Sequence, residues 1–329
     1  MKMREYGGYL PLEICQGHEL YRGEDVVSLN CGRNAIVYAA LAEKYSKLYI
    51  PLWTCESIQK SLDKYGIYYE TYHIDSEFMP IDVTLEENES ILWTNYFGLI
   101  DGQKIEALIR KYHNNVIIDN TQAFFAKPHM AVYNIYSCRK FVGVSDGAYI
   151  VKKNIKKINL PQDNSYQRVG YLLKSIECGT NGSYMDYKEA ERSFDNLEVM
   201  KMSKITSYIL GGVDYEYIKE KRRENYLTLY NELYKINELD LPMLDDMVPM
   251  VYPLLVVNEK LREELVSMKI WIPQWWKYIL EKYCPVFFEQ RLCHYLFPLP
   301  IDQRYSSTDM KQIAHIVKSC IKMPNYCGK

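Results

Sequence analysis

Short apolar runs alternate with segments of helical periodicity through about the first 150 residues of this 329-residue chain. The apolar runs lack the strict polar–apolar alternation of a half-exposed strand, which is typical of strands buried on both faces. This order predicts a mainly parallel sheet covered by helices. The predicted strands are an apolar run ending at Asn30, then 47–53, 68–75, 90–98, 115–121, 134–138 and 147–151, and the predicted helices are 34–45, 55–66 and 101–113.

The second half of the chain has a different pattern. Residues 152–190 are polar and irregular, residues 189–210 and 214–236 are typical of long helices, and the sequence from 247 onward indicates a small α+β unit. A chain of this length suits one large domain and one smaller domain. We therefore predict a large domain over 1–205 and a smaller C-terminal α+β domain over 206–329.

Composition excludes several classes of protein. The net charge of −2 argues against nucleic-acid or membrane-surface binding driven by bulk charge. The sequence contains neither a signal-peptide core nor an apolar run of membrane-spanning length. Its nine scattered cysteines form no CxxC pair, which is typical of reduced thiols and not of a zinc site. We expect a cytoplasmic protein that binds no metal, nucleic acid or membrane.

Two candidate catalytic residues directly follow predicted strands, where parallel sheets bind their ligands. Asp119 ends the strand NVIID, although Asp-Asn-Thr is also good turn chemistry. Lys140 lies in YSCRKF just after the next strand, although a lone lysine is usually a solvated surface residue. Ser137 precedes Lys140 by three residues, so its hydroxyl could reach the same ligand. Arg139 is a second cation that either lowers the lysine pKa or forms a structural ion pair.

Three further segments lie at the ends of strands. Residues 31–34, Cys-Gly-Arg-Asn, join a strand to a helix, where backbone N–H groups bind anions, or where Asn34 simply caps the helix. Trp53 follows the strand 47–53 and could lie over a flat ligand ring or belong to the core. The end of the fourth strand carries Asn95, Tyr96 and Phe97, which could contact a ligand or form a buried, hydrogen-bonded strand end.

Together these residues match the needs of pyridoxal 5′-phosphate (PLP). The cofactor requires a lysine for its Schiff base, a carboxylate on its pyridine nitrogen, donors for its phosphate and an apolar group against its ring. The chain presents candidates for each: the phosphate turn, the aromatic, the strand-end amide, Asp119 and then Lys140. The sequence therefore predicts a PLP enzyme.

The same segments resemble the DegT/DnrJ/EryC1/StrS aminotransferases, PLP enzymes that usually act on nucleotide-linked keto sugars. The similarity is carried by GGYLPLE (7–13), LNCGRNAIVYAAL (29–41), YIPLWTCESI (49–58), TNYFG (94–98), IIDNTQAFF (117–125), YSCRKFVGVSDGAY (136–149) and FPLPIDQRYSSTDMKQIAHIV (297–317). It implies the type I fold of PLP-dependent transferases, as in aspartate aminotransferase. It places Asp119 on the pyridine nitrogen, Gln122 near the ring, Lys140 in the Schiff base and Ser137 on the phosphate.

The resemblance implies roles for further residues. Those assigned to the cofactor are Gly32, Arg33, Asn34, Trp53, Thr54, Cys55, Asn95, Gln122 and Ser137, and those assigned to substrate are Tyr9, Tyr96, Phe97 and Arg304. Cys55 stands where the family usually has an aromatic residue, so Trp53 or another residue would stack on the ring. The implied reaction transfers an amino group from an amino acid such as glutamate to a keto sugar on a nucleotide. Another PLP reaction on an amino acid, or a non-catalytic binding or regulatory role, remains an alternative.

The family also implies a homodimer with two sites at the subunit boundary. Aromatic residues in IWIPQWWKYIL (270–280) are more numerous than a monomer surface normally carries, although they could equally form the core of the small domain. The asparagine-tyrosine-arginine run that often reaches the partner's phosphate is missing. In its place Arg222, Arg223 and Ser203 are the candidates to contact a ligand across the boundary.

Overall fold

The computed structural model describes residues 6–15, 17–282 and 287–322. Its centre is a seven-stranded sheet with the spatial order β1-β7-β6-β5-β4-β2-β3. The strands β2 to β6 run parallel to one another, while β7 is antiparallel to both β1 and β6. The strands are β1 Val26–Leu29, β2 Lys47–Pro51, β3 Tyr69–Tyr72, β4 Glu89–Thr94, β5 Val116–Asp119, β6 Tyr133–Ser137 and β7 Ala148–Val151. The predicted mainly parallel sheet is confirmed.

Helices connect the parallel strands as the sequence predicts. They are α1 Gly32–Glu43, α2 Glu56–Lys64 and α3 Gly102–Lys111. The α2 helix ends with Gly66 just beyond its C-cap at a φ of 64°, which is the left-handed position that favours glycine. The N-cap of α1 is Cys31. Asn34 lies in the first turn of that helix, so its interpretation as the capping residue is wrong.

The central strands are buried on both faces, which explains the missing alternation in their sequence. All residues of β4, β5, β6 and β7 are buried. Successive residues point to opposite faces, so Leu92 packs in the cluster that contains α1, whereas Trp93 packs in a second cluster on the other face. The second cluster continues into the C-terminal part of the chain, where it includes Tyr252 and Val317.

The C-terminal part is built around α7 and a two-stranded antiparallel sheet. Its elements are α6 Lys204–Gly211, α7 Tyr215–Leu233, β8 Tyr252–Leu255, α8 Leu261–Ser267, α9 Tyr278–Lys282, α10 Phe288–Tyr295, β9 Leu296–Leu299 and α11 Ser307–Lys322. β8 pairs with β9 in antiparallel register. The helix predicted over 214–236 and the α+β character of this region are confirmed. The boundary near residue 205 stays a prediction.

Two sequence predictions fail between residues 152 and 210. The segment 152–190, expected to be irregular, contains α4 Gly170–Gly182 and α5 Tyr184–Arg192. The long helix expected over 189–210 is interrupted, because residues 197–202 run extended beside β1. There Asn30 N donates to Met200 O at 3.0 Å, and Met202 N donates to Ser28 O at 3.2 Å. Backbone pairing with β1 therefore outweighs helical propensity in this stretch.

The aromatic residues of segment 270–280 mostly pack inward. Trp275 and Trp276 contact the ring of Trp53, and the Tyr278 hydroxyl donates to the carbonyls of Leu52 and Thr54. Only Trp271 among these tryptophans is largely exposed within the described chain. These aromatics are thus part of the core and give no evidence for a subunit interface. No described helix combines the length and apolar character needed to cross a membrane.

Candidate active site

Asp119 and Lys140 meet at the carboxyl edge of the sheet because their strands are parallel neighbours. Asp119 is the last residue of β5, and Lys140 follows the end of β6 by three residues. Lys140 Nζ donates to Thr121 Oγ1 at 3.3 Å, and Thr121 N donates to Asp119 Oδ1 at 2.9 Å. One threonine therefore links the amine and the carboxylate.

The two charges shift each other's pKa within a low-dielectric site. Burial raises the pKa of Asp119, and the Lys140 ammonium opposes that rise. Burial lowers the pKa of Lys140, and the Asp119 carboxylate opposes that fall. Lys140 lines a cavity of about 510 Å³, and its side chain is exposed at this opening. A lysine with a lowered pKa loses its proton more readily and is a better nucleophile at neutral pH.

The uncapped start of α1 lies beside this pair. The side chain of Cys31 does not cap the helix, so the first N–H groups are left for another acceptor. A Cβ added at Gly32 would lie 3.0 Å from Thr121 Cγ2 and 3.9 Å from Ser137 Cβ. Gly32 thus lies next to Thr121, two residues after Asp119, and near Ser137, three residues before Lys140. Helix N–H groups and the Ser137 hydroxyl are suitable donors for a phosphate.

Asn95 supplies a free acceptor near the same edge. Its Nδ2 donates to Asn120 Oδ1 at 2.9 Å, and its backbone N–H donates to Asp119 O at 3.0 Å. Its Oδ1 is buried and has no hydrogen-bond partner among the described residues. A buried acceptor without a donor is costly. It fits a ligand hydroxyl, which agrees with the prediction that Asn95 contacts the cofactor.

Three aromatic predictions are wrong because the side chains are fully buried. The Trp53 ring is surrounded by Phe78, Tyr96, Phe97, Trp275 and Trp276, which leaves no face for a cofactor. The Tyr96 hydroxyl donates to Trp53 O at 2.8 Å. The Phe97 ring packs in the same cluster, at a left-handed φ of 61°. Tyr96 and Phe97 are core residues and do not face a substrate.

The residues after Trp53 have different environments. Thr54 is buried, and its carbonyl accepts from the Tyr278 hydroxyl at 3.0 Å. Cys55 is exposed at the N-cap of α2, with its Sγ 3.0 Å from Ser57 Oγ. Its thiolate charge would raise the pKa of Lys140, which places Cys55 close to the amine. Of the segment 53–55, Cys55 is the residue that approaches the candidate site.

Three other predicted residues also have defined positions. Asn34 is buried and donates to Asn30 Oδ1 and to Glu198 O, so it is a structural residue and not a cofactor ligand. Gln122 is buried, and its Oε1 accepts from Phe97 N at 2.9 Å, which stabilises the turn after β4. Arg33 pairs with the exposed Asp195 at 3.4 Å.

The two remaining predicted substrate residues, Tyr9 and Arg304, lie in different environments. Tyr9 is 93% exposed in the N-terminal segment. Arg304 lines the cavity of Lys140 and holds Asp302 Oδ1 and Oδ2 at 2.7 and 2.9 Å. The substrate role of both stays a prediction, although Arg304 shares a cavity with the candidate lysine.

The residues proposed to act across a subunit boundary are engaged within their own chain. Ser203 is buried and donates to Asp146 Oδ1 at 2.7 Å. Arg223 donates to Met247 O at 2.6 Å, while Arg222 is buried in the wall of the Lys140 cavity. That prediction is wrong for the buried Ser203 and Arg222. Arg139 forms the ion pair considered from the sequence, with Glu191 of α5.

Sequence reasoning missed Thr121 and Gln303, and it assigned Arg222 to a contact across a subunit boundary instead of to the cavity of its own chain. Thr121 could have been found, because a hydroxyl two residues beyond a strand-end carboxylate lies on the same edge of the sheet. Arg222 and Gln303 line the cavity with Lys140 although they are distant from it in sequence. Only the packing of the C-terminal part brings them there.

Solved structures of aminotransferases resemble this chain over most of its length. A DegT DnrJ EryC1 StrS aminotransferase from Brucella abortus superposes with a TM-score of 0.61 at 14% identity, covering 90% of this chain and 86% of the other. PseC from Helicobacter pylori, an aminotransferase involved in the biosynthesis of pseudoaminic acid, gives 0.61 at 13% identity, with 91% and 87% covered. NtdA from Bacillus subtilis, with bound cofactor PMP, gives 0.62 at 14% identity, with 89% and 73% covered.

The chain has the type I fold of PLP-dependent aminotransferases. No family model and no curated protein sequence matches it. At such low identity the similarity establishes the fold, and the predicted type I fold is confirmed. The residues around Lys140 also fit the cofactor of this fold: a lysine, a buried carboxylate, an uncapped helix start and an unpaired amide oxygen converge on one edge.

Proposed function

We propose that this chain is a PLP-dependent aminotransferase. The observation that carries the proposal is the link Lys140–Thr121–Asp119 beside the uncapped start of α1. An amine with a lowered pKa, a buried carboxylate and an anion site are three of the four groups that PLP requires.

Each residue has a defined task in the reaction. Lys140 would hold the cofactor through its amine and would move a proton to and from the α-carbon of the amino donor. Asp119 would keep the pyridine nitrogen protonated. The N–H groups at the start of α1 and the Ser137 hydroxyl would bind the phosphate, and Asn95 would contact the ring hydroxyl. When bound, PLP supplies an electron sink for the α-carbanion.

We infer an amino acid such as glutamate as donor and a keto sugar on a nucleotide as acceptor. The cavity of Lys140 is also lined by Arg139, Arg222 and Arg304 and by the carboxylate of Asp302. Arg139 pairs with Glu191, and Arg304 pairs with Asp302. Lys140 and Arg222 therefore carry the positive charge that favours anionic ligands such as a donor carboxylate or a sugar diphosphate. The similarity to the sugar aminotransferase CalS13 from Micromonospora echinospora and to DesI in the presence of its TDP-sugar product supports the choice of a sugar acceptor.

We also propose a homodimer in which the second copy covers the α4–α5 hairpin. Ile176 is 82% exposed and Met185 71% exposed on this hairpin, and no residue of α4 is buried. Tyr184 and Tyr187 of α5 line the Lys140 cavity. An exposed apolar surface that continues into the cavity suits a subunit interface next to the active site.

A cytoplasmic location agrees with the cysteines. Cys31, Cys55 and Cys138 lie at or near the site as free thiols, and the other described cysteines are also unpaired. Free thiols persist in a reducing compartment.

The visible spectrum of the purified protein tests the activity. We expect an absorbance band of the bound cofactor that borohydride removes and that an amino donor bleaches with release of the keto acid. Lys140→Ala is the control, because it should show no borohydride-sensitive band. A protein without such a band refutes the proposal. A band that no donor bleaches would instead indicate the non-catalytic role, and a product other than a keto acid would indicate another PLP reaction.

A further inference from the structure

Two side chains of the C-terminal part hold the backbone carbonyls at Lys140 and Phe141. Arg222 of α7 donates through Nη2 to Lys140 O at 3.4 Å and through Nη1 to Met250 O at 2.9 Å. Gln303, in the loop between β9 and α11, donates through Nε2 to Phe141 O at 3.0 Å. The Arg222 guanidinium also lies 4.5 Å from the centre of the Phe141 ring. Consecutive carbonyls are thus fixed by side chains from one region.

The two side chains belong to a single unit. Asn225, three residues after Arg222 on α7, donates through Nδ2 to three carbonyls of the loop that carries Gln303. These are Ile301 O and Asp302 O, each at 3.2 Å, and Tyr305 O at 3.1 Å. The loop 301–305 is therefore attached to α7, and any displacement of this unit would move both contacts to the lysine segment together.

Stability alone gives no reason for a guanidinium at position 222. Arg222 is only 2% exposed, and burial lowers its pKa to about 10. The Asp302 carboxylate, which is held by Arg304, favours the charged form of Arg222 from beyond ion-pair distance, and the Nε of Arg222 has no partner among the described residues. A buried cation without a direct ion pair normally costs stability. What this cation does contact is the backbone and ring of the segment that contains Lys140.

We propose that Arg222 and Gln303 form a clamp, defined by these two side chains, that positions Lys140 through the carbonyls of residues 140 and 141. The inference rests on the proposed aminotransferase function. Lys140 must reach first the cofactor and then the donor's α-carbon, and a displacement of about 1 Å in a catalytic group can cost about 100-fold in rate. Because the clamp touches backbone and not reacting atoms, both members are positioning residues.

The test compares Arg222→Met and Gln303→Leu with a matched control, Arg262→Met. Arg262 also belongs to the C-terminal part, donates to two carbonyls, Pro273 O and Leu296 O, and lies 5.1 Å from the centre of the Phe297 ring, but none of these contacts involves the lysine segment. Three quantities are measured: the rate at which cofactor-free protein forms the borohydride-sensitive band with PLP, kcat with the donor KM, and the rate at which a small acylating reagent labels Lys140 in the cofactor-free protein.

We expect the two clamp variants to form the band about tenfold more slowly and to lower kcat by a similar factor, with the donor KM changed less than about twofold. The rate at which the acylating reagent labels Lys140 in the same variants should differ from the wild-type rate. Arg222→Lys should recover part of the rate, since an ammonium can still donate to one carbonyl. The double variant should lose little more than either single variant, because the two residues act as one unit.

Wild-type band formation, kcat and labelling in Gln303→Leu would overturn the clamp, even if Arg222→Met fails to fold. An equal loss in Arg262→Met would also overturn it, because the effect would then reflect general packing of the C-terminal part. A wild-type protein that never forms the band refutes the proposed function instead. In that case the labelling rates of Lys140 still decide whether the clamp positions the amine.

Discussion

Replacing Asp119 by Asn removes one negative charge and keeps the shape of the side chain. The carboxylate is only 3% exposed, so water screens its charge poorly, and an asparagine Oδ1 can still accept from Thr121 N. The substitution therefore isolates the charge from the local fold. In the proposed reaction the charge keeps the pyridine nitrogen protonated, and that proton makes the ring an electron sink.

The expected loss follows from the electrostatics of a buried pair. Opposite charges about 3 Å apart interact by about 5 kcal/mol at an effective dielectric constant of about 20. Part of this interaction is already present before proton transfer, so the loss in the transition state is smaller. We expect about 3–4 kcal/mol, as for other preorganised groups, or a fall in kcat of about 10²–10³-fold.

Stopped-flow absorbance gives the rate of donor-dependent bleaching, and the spectrum before mixing shows whether the cofactor is bound. The matched control is Glu289→Gln, since Glu289 is also buried and also accepts from a backbone N–H, that of Ile74 at 2.8 Å. The control should bleach at the wild-type rate. If Asp119→Asn binds cofactor and bleaches within about threefold of wild type, the role of Asp119 in activating the ring is refuted.

The same variant makes a prediction about stability in the cofactor-free protein. The pKa of Asp119 is raised in the folded state, so below the unfolded-state pKa the carboxyl is protonated in both states and costs nothing. The cost appears as the pH rises from that value through the raised folded-state pKa. Cofactor-free Asp119→Asn should therefore melt at the wild-type temperature or above it at pH 7, and a large fall in Tm would contradict this sign.

Three further variants test other parts of the site. Lys140→Ala should abolish both the borohydride-sensitive band and turnover, and a remaining band would show that another amine binds the cofactor. Gly32→Val should weaken cofactor retention in dialysis by about tenfold or more, because its Cβ would already lie 3.0 Å from Thr121 Cγ2; retention at the wild-type level would refute the phosphate site. Ile176→Glu should weaken self-association in sedimentation at low concentration by about tenfold or more, whereas a catalytically active wild-type monomer would refute the shared site.

The fold and the two central residues of the site could be predicted because they depend on short-range patterns. Strands buried on both faces give continuous apolar runs, and the polar residue that ends such a run lies at the ligand edge. Asp119 and Lys140 satisfy this rule on neighbouring strands. The helix α4 was not predicted, because it contains Gly170, Gly179 and Gly182, and glycine has a low helix propensity.

The orientation of side chains beyond a strand end could not be predicted. Trp53, Tyr96 and Phe97 follow strands just as Asp119 does, yet they turn into the core. The left-handed φ at Phe97 reverses the chain there and breaks the alternation that sequence reasoning depends on. Arg222 and Gln303 reach the site only through tertiary packing, for which a single sequence contains no signal.

The position of β7 in the sheet has a consequence for the order in which this protein can be assembled during synthesis. β1 contacts the rest of the sheet through β7, which is made more than a hundred residues later. The parallel strands β2 to β6 can pair as they leave the ribosome, but the first strand has no place to dock until Ala148–Val151 has emerged. Since α1 directly follows β1, the proposed phosphate site at the start of α1 forms late. It requires the long-range pairing of β1 with β7, which is expected to slow folding. During translation, Lys140 would therefore emerge before the proposed phosphate site is complete.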